Sequence, residues 1–182
     1  MQIKIPYTVD NKIRFAPIED THFSGFIGDY FNRFFEKRVL SDFAKEKIFG
    51  EKALREPHDD DTIVGMWSGE FWGKLEISAC RVYEYTKNAS LLEFVKASAR
   101  RVLSYARPDG YINSYKDSTN FFAPNPDETV KLMGWRCDWN WNIWCRKYTL
   151  WGLVECAVLT GDETILAGAH KLASQLIHEL HE

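Results

Sequence analysis

Laying Thr86 on Thr160 superimposes two stretches of this chain at an offset of 74 residues. On that register Leu91 matches Ile165, Leu92 matches Leu166, Val95 matches Ala169, Ala99 matches Ala173, Val102 matches Leu176 and Leu103 matches Ile177. Each copy has apolar residues at helical spacing, then a short turn, then helical spacing again. The repeated unit is therefore an antiparallel helical hairpin. One such hairpin cannot bury its own apolar face, so hairpins stack into solenoids or close into α/α toroids. The expected fold is all-α, with repeated hairpins forming part of an (α/α)6-type toroid. A length of 182 residues predicts a single helical domain.

Along the chain, residues 2–15 alternate loosely around Asp10-Asn11 and predict a short N-terminal β-arm, so that 1–17 form the arm and 18–182 the hairpins. Phe23, Phe26, Ile27, Tyr30, Phe31, Phe34, Phe35, Val39, Leu40 and Phe43 predict one long helix over 18–49 with a broad aromatic stripe. Residues 50–66 read as a loop, whose Asp59, Asp60 and Asp61 lack the ligand spacing of a calcium loop and read as solvated. Helices are expected over 70–86, 90–105 with Ser90 and Glu93 as a capping box, 144–159 and 163–180. Pro108-Asp109-Gly110-Tyr111 is a turn, and 116–134 is a long irregular loop, of the kind that is either mobile or functional.

Composition removes several classes of function. With 23 basic and 26 acidic residues scattered along the chain and a net charge of −3, no basic stripe suits a phosphate backbone, so nucleic acid is not an expected partner. No apolar run reaches membrane-span length and the start resembles no signal peptide, so a cytoplasmic protein with no membrane partner is expected. Cys80, Cys137, Cys145 and Cys156 form no CxxC pair and read as reduced thiols, Cys80 and Cys156 as small core residues. No metal site is expected from this spacing.

Five of the seven tryptophans fall between Trp135 and Trp151. Trp144, Tyr148 and Trp151 recur at i, i+4, i+7 and are expected to pack in the core. Trp139 and Trp141 precede that helix beside Asp138, Asn140 and Asn142. Indole faces flanked by carboxylate and amide groups suit a sugar, whose C–H faces stack while its hydroxyls take directional bonds. The same residues could equally serve the core. Asp138, Trp139, Trp141 and Asn142, with Tyr111 and Asn113 of the turn-loop, are the candidate saccharide-binding residues. Glu76 and Glu155, mid-helix beside small apolar residues, are expected to be ion-paired with Lys74, Arg81, Arg146 or Lys147.

Three segments resemble a known family. FWGKLEISACRVYEYT, RPDGYINSY and RKYTLWGLVECAVLTGDETIL are similar to successive segments of the α/α-barrel glycoside hydrolases of the β-L-arabinofuranosidase group (glycoside hydrolase family 127), over about residues 65–180. The matching positions are Lys74-Leu75-Glu76, Asp109-Gly110-Tyr111 with Asn113 and Tyr115, and Leu153-Val154-Glu155 with Thr160-Gly161. The resemblance implies a toroid and a saccharide ligand. It also implies that the family's zinc-bound cysteine nucleophile and acid/base glutamate belong C-terminal to the matched segments. Cys145 and Gly152 stand where many members have histidines, so no family sugar contact carries over to them.

The chain is therefore expected to be the N-terminal part of a glycoside hydrolase-like toroid protein that binds a saccharide, inactive alone and without a cofactor of its own, zinc being implied only for a full-length relative. No catalytic residue is assigned within it. The alternative is a non-catalytic carbohydrate-binding or oligomerising helical scaffold, with a homodimer covering the open hairpin face.

Overall fold

The computed structural model describes residues 16–39, 41, 51–58, 69–119, 130–132, 135–137 and 141–181. The expected β-arm, the Asp59–Asp61 triplet, Asp138 and Trp139 lie outside these residues. A 3-10 turn at Ile18–Asp20 precedes α1 (Gly25–Phe34), which runs on as a π-turn over Phe35–Val39. Then come α2 (Glu51–Arg55), α3 (Gly69–Thr86), α4 (Ala89–Leu103), a backbone ribbon of β1 (Val130–Leu132) antiparallel to β2 (Trp135–Cys137), α5 (Asn142–Thr160) and α6 (Glu163–His181). The described chain is mostly helical. None of the described helices is long and apolar enough to cross a membrane.

The 74-residue repeat is a repeat of turn chemistry as well as of apolar spacing. In the first hairpin Thr86 Oγ1 donates to Val82 O at 2.9 Å, and Asn88 Oδ1 accepts the Leu91 amide at 3.1 Å. In the second, Thr160 Oγ1 donates to Cys156 O at 2.7 Å, and Asp162 Oδ1 accepts the Thr164 and Ile165 amides at 3.0 and 3.2 Å. Between them sit two left-handed residues, Lys87 at φ 53° and Gly161 at φ 66°. Each turn thus closes one helix with a left-handed residue and caps the next with a side-chain oxygen. The cap of α4 is accordingly Asn88 and not Ser90, which lies exposed within the first turn.

The Asp162 carboxyl is held below the usual aspartate range. Burial pushes it up, but the Arg100 guanidinium at 2.6 Å and the two cap amides outweigh that. A depressed folded-state pKa stabilises the fold above the unfolded value and loses that contribution as pH falls through the folded one. Asp162→Asn, which keeps a capping oxygen without the charge, is expected to lower stability by up to about 1 kcal/mol at neutral pH. Urea titrations repeated at descending pH should show the difference from wild type closing below the ordinary aspartate range. A pH-independent difference would assign the effect to the cap alone.

Helices α3 and α5 lie side by side in parallel, because residues 74 positions apart meet at both ends. Trp144 Nε1 donates to Glu70 Oε2, and Arg81 reaches Glu155 at 2.8 Å. They share the most extensive helix–helix interface among the described elements. Gly73 packs directly under the Tyr148 backbone, and a Cβ at Gly152 would lie 3.1 Å from Gly73 Cα and 3.2 Å from the Trp72 ring. Helices approach this closely only where side chains are small. Trp72, fully buried, donates its indole N–H to Ser98 Oγ at 2.9 Å and so ties α3 to α4.

Two expectations about the first third of the chain are corrected. The proposed long helix over 18–49 breaks at residues 21–24, and its stripe is divided: Phe26, Ile27, Tyr30 and Phe34 are exposed, while Phe31, Phe35 and Val39 pack against the core. At the docked edge Phe23 and Phe31 meet the Tyr85 ring at 5.2 and 4.9 Å. The second correction is the loop over 50–66, which contains α2. Glu51 there accepts from Arg101 at 3.2 Å and from the Tyr105 hydroxyl at 2.8 Å, so a short helix without strong intrinsic signals is held by its partners.

Candidate functional site

The Asp109-Gly110-Tyr111 loop and the start of α5 meet, as their pairing in the candidate site requires, but they meet by burying one another. Asp109 Oδ1 accepts the Tyr111 amide at 3.0 Å, and Gly110 at φ 100° lies against the Lys171 backbone, which no side chain would permit. Tyr111 is clamped between guanidinium groups, Arg107 at 4.3 Å and Arg146 at 4.5 Å from its ring centroid. Its hydroxyl donates to Tyr115 O at 2.7 Å, and burial pushes its pKa up.

Asn113 donates from Nδ2 to Asn142 Oδ1 at 2.7 Å and to Asn142 O at 3.2 Å. Asn142 in turn donates to Asp117 O, and the Tyr115 hydroxyl accepts the Trp141 amide at 3.0 Å. Tyr111, Asn113 and Asn142 are 2 %, 2 % and 0 % exposed, so in this chain their polar atoms face each other rather than solvent. The candidate residues fasten the loop to α5. Underneath, Arg146, fully buried, spans Glu179 at 2.5 Å, Gln175 Oε1 at 3.3 Å and the Ser118 carbonyl.

The exposed chemistry is on the adjoining face of α5. Trp144 and Trp151, expected in the core, are 39 % and 48 % exposed. The buried face consists of Asn142, Cys145, Arg146, Thr149, Gly152, Leu153, Cys156 and Ala157 instead. Burying the small stripe lets α3 approach, and the indoles are displaced outward. Together with Trp141 they form a ladder: Trp141 to Trp144 at 6.1 Å, Trp144 to Tyr148 at 5.3 Å, both edge-on, and Tyr148 stacked on Trp151 at 6.2 Å.

Charged groups flank the ladder. Glu70 takes the Trp144 indole N–H and the Lys74 ammonium, Glu155 takes the Trp151 indole N–H at 2.9 Å, and Lys147 lies 3.7 Å over Trp144 and 4.0 Å over Tyr148. The expected pairing of Glu155 with Arg81 is present. The expected pairing of Glu76 is not: its Oε1 has no hydrogen-bond partner, and no cation ion-pairs with it among the described residues.

Three residues able to hold a metal ion come together where sequence spacing predicts no metal site. Glu76, Cys80 and Cys156, all buried, bring one carboxylate oxygen and two sulfurs within 4.8 Å of one another. Burial, with Cys156 beside it, pushes the Glu76 carboxyl well above the usual range. The hydrogen bond between the two thiols pushes Cys80 up and Cys156 down. Cys145, buried on its own, is pushed up to about 11 by desolvation. A cleft of about 560 Å³ between residues 16–31 and α3 is lined by Ile18, Phe23, Phe31, Val82 and Tyr85, with Arg81 and Glu84 beside them. No protein-family model, curated protein or solved structure matches the chain, so its functional reading rests on this geometry and on the segments quoted above.

Proposed function

We propose that this chain is the saccharide-binding part of an α/α-toroid protein of the glycoside hydrolase type, similar to the β-L-arabinofuranosidase group, with the hydrolytic residues outside it. The observation that carries the proposal is the ladder Trp141–Trp144–Tyr148–Trp151, of which Trp144 and Trp151 are exposed and Trp141 and Tyr148 half-buried. The exposed parts of the Trp144 and Trp151 rings, two turns apart on one helix, offer apolar surface to the C–H faces of sugar rings. Lys147 and the partly exposed Glu155 beside them offer a donor and an acceptor to hydroxyls. The two parallel inner helices α3 and α5, each followed by an outer helix, are the arrangement that a toroid repeats. The binding face thus moves from the buried Tyr111, Asn113 and Asn142 to the neighbouring indoles, while Trp141 belongs to both sets.

Titration of the chain with arabino-oligosaccharides should quench tryptophan fluorescence saturably, without release of free sugar. Trp144→Ala and Trp151→Ala should each weaken binding about tenfold, the worth of one aromatic stacking contact of about 1.5 kcal/mol. Each variant also loses an indole hydrogen bond to Glu70 or Glu155, so its urea midpoint is measured alongside and binding is compared under conditions where the variant is folded. Saturating oligosaccharide that leaves fluorescence unchanged would withdraw the proposal, as would equal affinity in the variants.

A further inference from the structure

Glu76 and Cys80 stand one helical turn apart on α3, and Cys156 faces them from α5. Their relative exposures are 1 %, 1 % and 0 %. Packing alone does not account for the carboxylate, because an apolar residue would fill the volume without the cost of desolvating an acid. Nor does an ion pair, since the cations of the two helices are spent elsewhere: Lys74 on Glu70, Arg81 on Glu84 and Glu155, Arg146 on Glu179. Ser98 and Cys156 hydrogen-bond the carboxyl group, yet its Oε1 is left without a partner. Buried side-chain oxygens nearly always have one, and those that do not call for an ion or a function.

We propose that Glu76, Cys80 and Cys156 bind one zinc-class cation, forming a buried clip between α3 and α5. Two sulfurs and one carboxylate oxygen are a donor set for zinc, cadmium or cobalt(II), and a poor one for magnesium or calcium, which take oxygen ligands. Tetrahedral zinc with bonds of about 2.3 Å to sulfur holds two thiolates about 3.8 Å apart. The donor atoms, within 4.8 Å of one another, close to that spacing by side-chain torsion alone. Binding displaces the two thiol protons and the carboxyl proton to solvent, and the divalent cation offsets two of the three negative charges they leave behind. Three protein donors leave the fourth position for a hydroxyl or water oxygen. The clip lies beside the close approach of the helices: a Cβ at Gly152 would sit 3.2 Å from that of Glu76.

The test is spectroscopic and uses the reduced, metal-stripped chain. Cobalt(II) should bind at one equivalent, giving the intense visible bands of a tetrahedral site and a thiolate-to-cobalt charge-transfer band, both erased by one equivalent of zinc. Cys80→Ala and Cys156→Ala should each abolish the charge-transfer band, Glu76→Gln should weaken binding more than tenfold, and Cys145→Ala, a buried thiol outside the cluster, should leave the spectrum intact. Should the core variants not fold, the wild-type chain and Cys145→Ala still decide. No charge-transfer band at one equivalent in the wild type, or a band that survives Cys80→Ala or Cys156→Ala, overturns the proposal and leaves the cluster as a neutral acid beside two thiols.

Discussion

Gly73→Ala is expected to lower the stability of this chain by about 2 kcal/mol or more, although alanine is the better helix former. The added methyl would occupy the space of the Tyr148 carbonyl, a backbone group of α5 that cannot rotate away. The substitution gains about 1 kcal/mol of helix propensity, and overpacking a tight core costs typically 1–3 kcal/mol, occasionally more where backbone must move. Backbone displacement wins here, because α3 and α5 would have to separate along their whole interface. Gly152→Ala should cost less, since its methyl would meet Gly73 Cα, the Glu76 side chain and the Trp72 ring at 3.1–3.2 Å, a crowding of tenths of an ångström. Urea unfolding of both variants decides: a Gly73→Ala midpoint equal to wild type, or one milder than Gly152→Ala, would mean that the helices do not cross at this point.

Replacing Arg146 by Met should cost about 3–5 kcal/mol, the range for removing one member of a buried charged pair. The methionine fills much of the volume but leaves Glu179, only 11 % exposed, without its cation, and the Ser118 carbonyl without its donor. It also removes one of the two guanidinium groups that clamp Tyr111. Amide exchange should therefore accelerate over 111–118 well beyond any change in α3. The double variant Arg146→Met with Glu179→Leu should recover part of the loss, because most of the penalty is the stranded carboxylate rather than the missing attraction. A double variant no more stable than Arg146→Met would place the cost in the packing against Tyr111 instead.

The correctly anticipated features depend on contacts near in sequence. The helices over 69–86, 89–103, 142–160 and 163–181 follow from apolar spacing. The two hairpin turns follow from Thr, Asn or Asp at matching positions, whose side chains bond amides within five residues. The capping residue at α4 was misassigned because Ser90-Leu91-Leu92-Glu93 fits a capping pattern as well as Asn88 does; the register with Asp162 would have separated them. That Glu155 takes an ion pair was legible from its mid-helix position, but its partner, Arg81, was one of four cations on offer.

Sequence alone therefore determined the helical hairpin and its repetition, since these are set by propensity, periodicity and caps within a few residues. It did not determine which face of each helix turns inward. Hydrophobicity places indoles inside, but Gly73 and Gly152 allow two backbones to touch, and that contact outweighs burying Trp144 and Trp151. Only the tertiary structure decided that Tyr111, Asn113 and Asn142 bond to one another, because hydrogen-bond partners 29 residues apart are chosen by packing. The same holds for Glu76, Cys80 and Cys156: no spacing rule joins a carboxylate and a thiol on one helix to a thiol on the next, and proximity came from the parallel docking of α3 on α5.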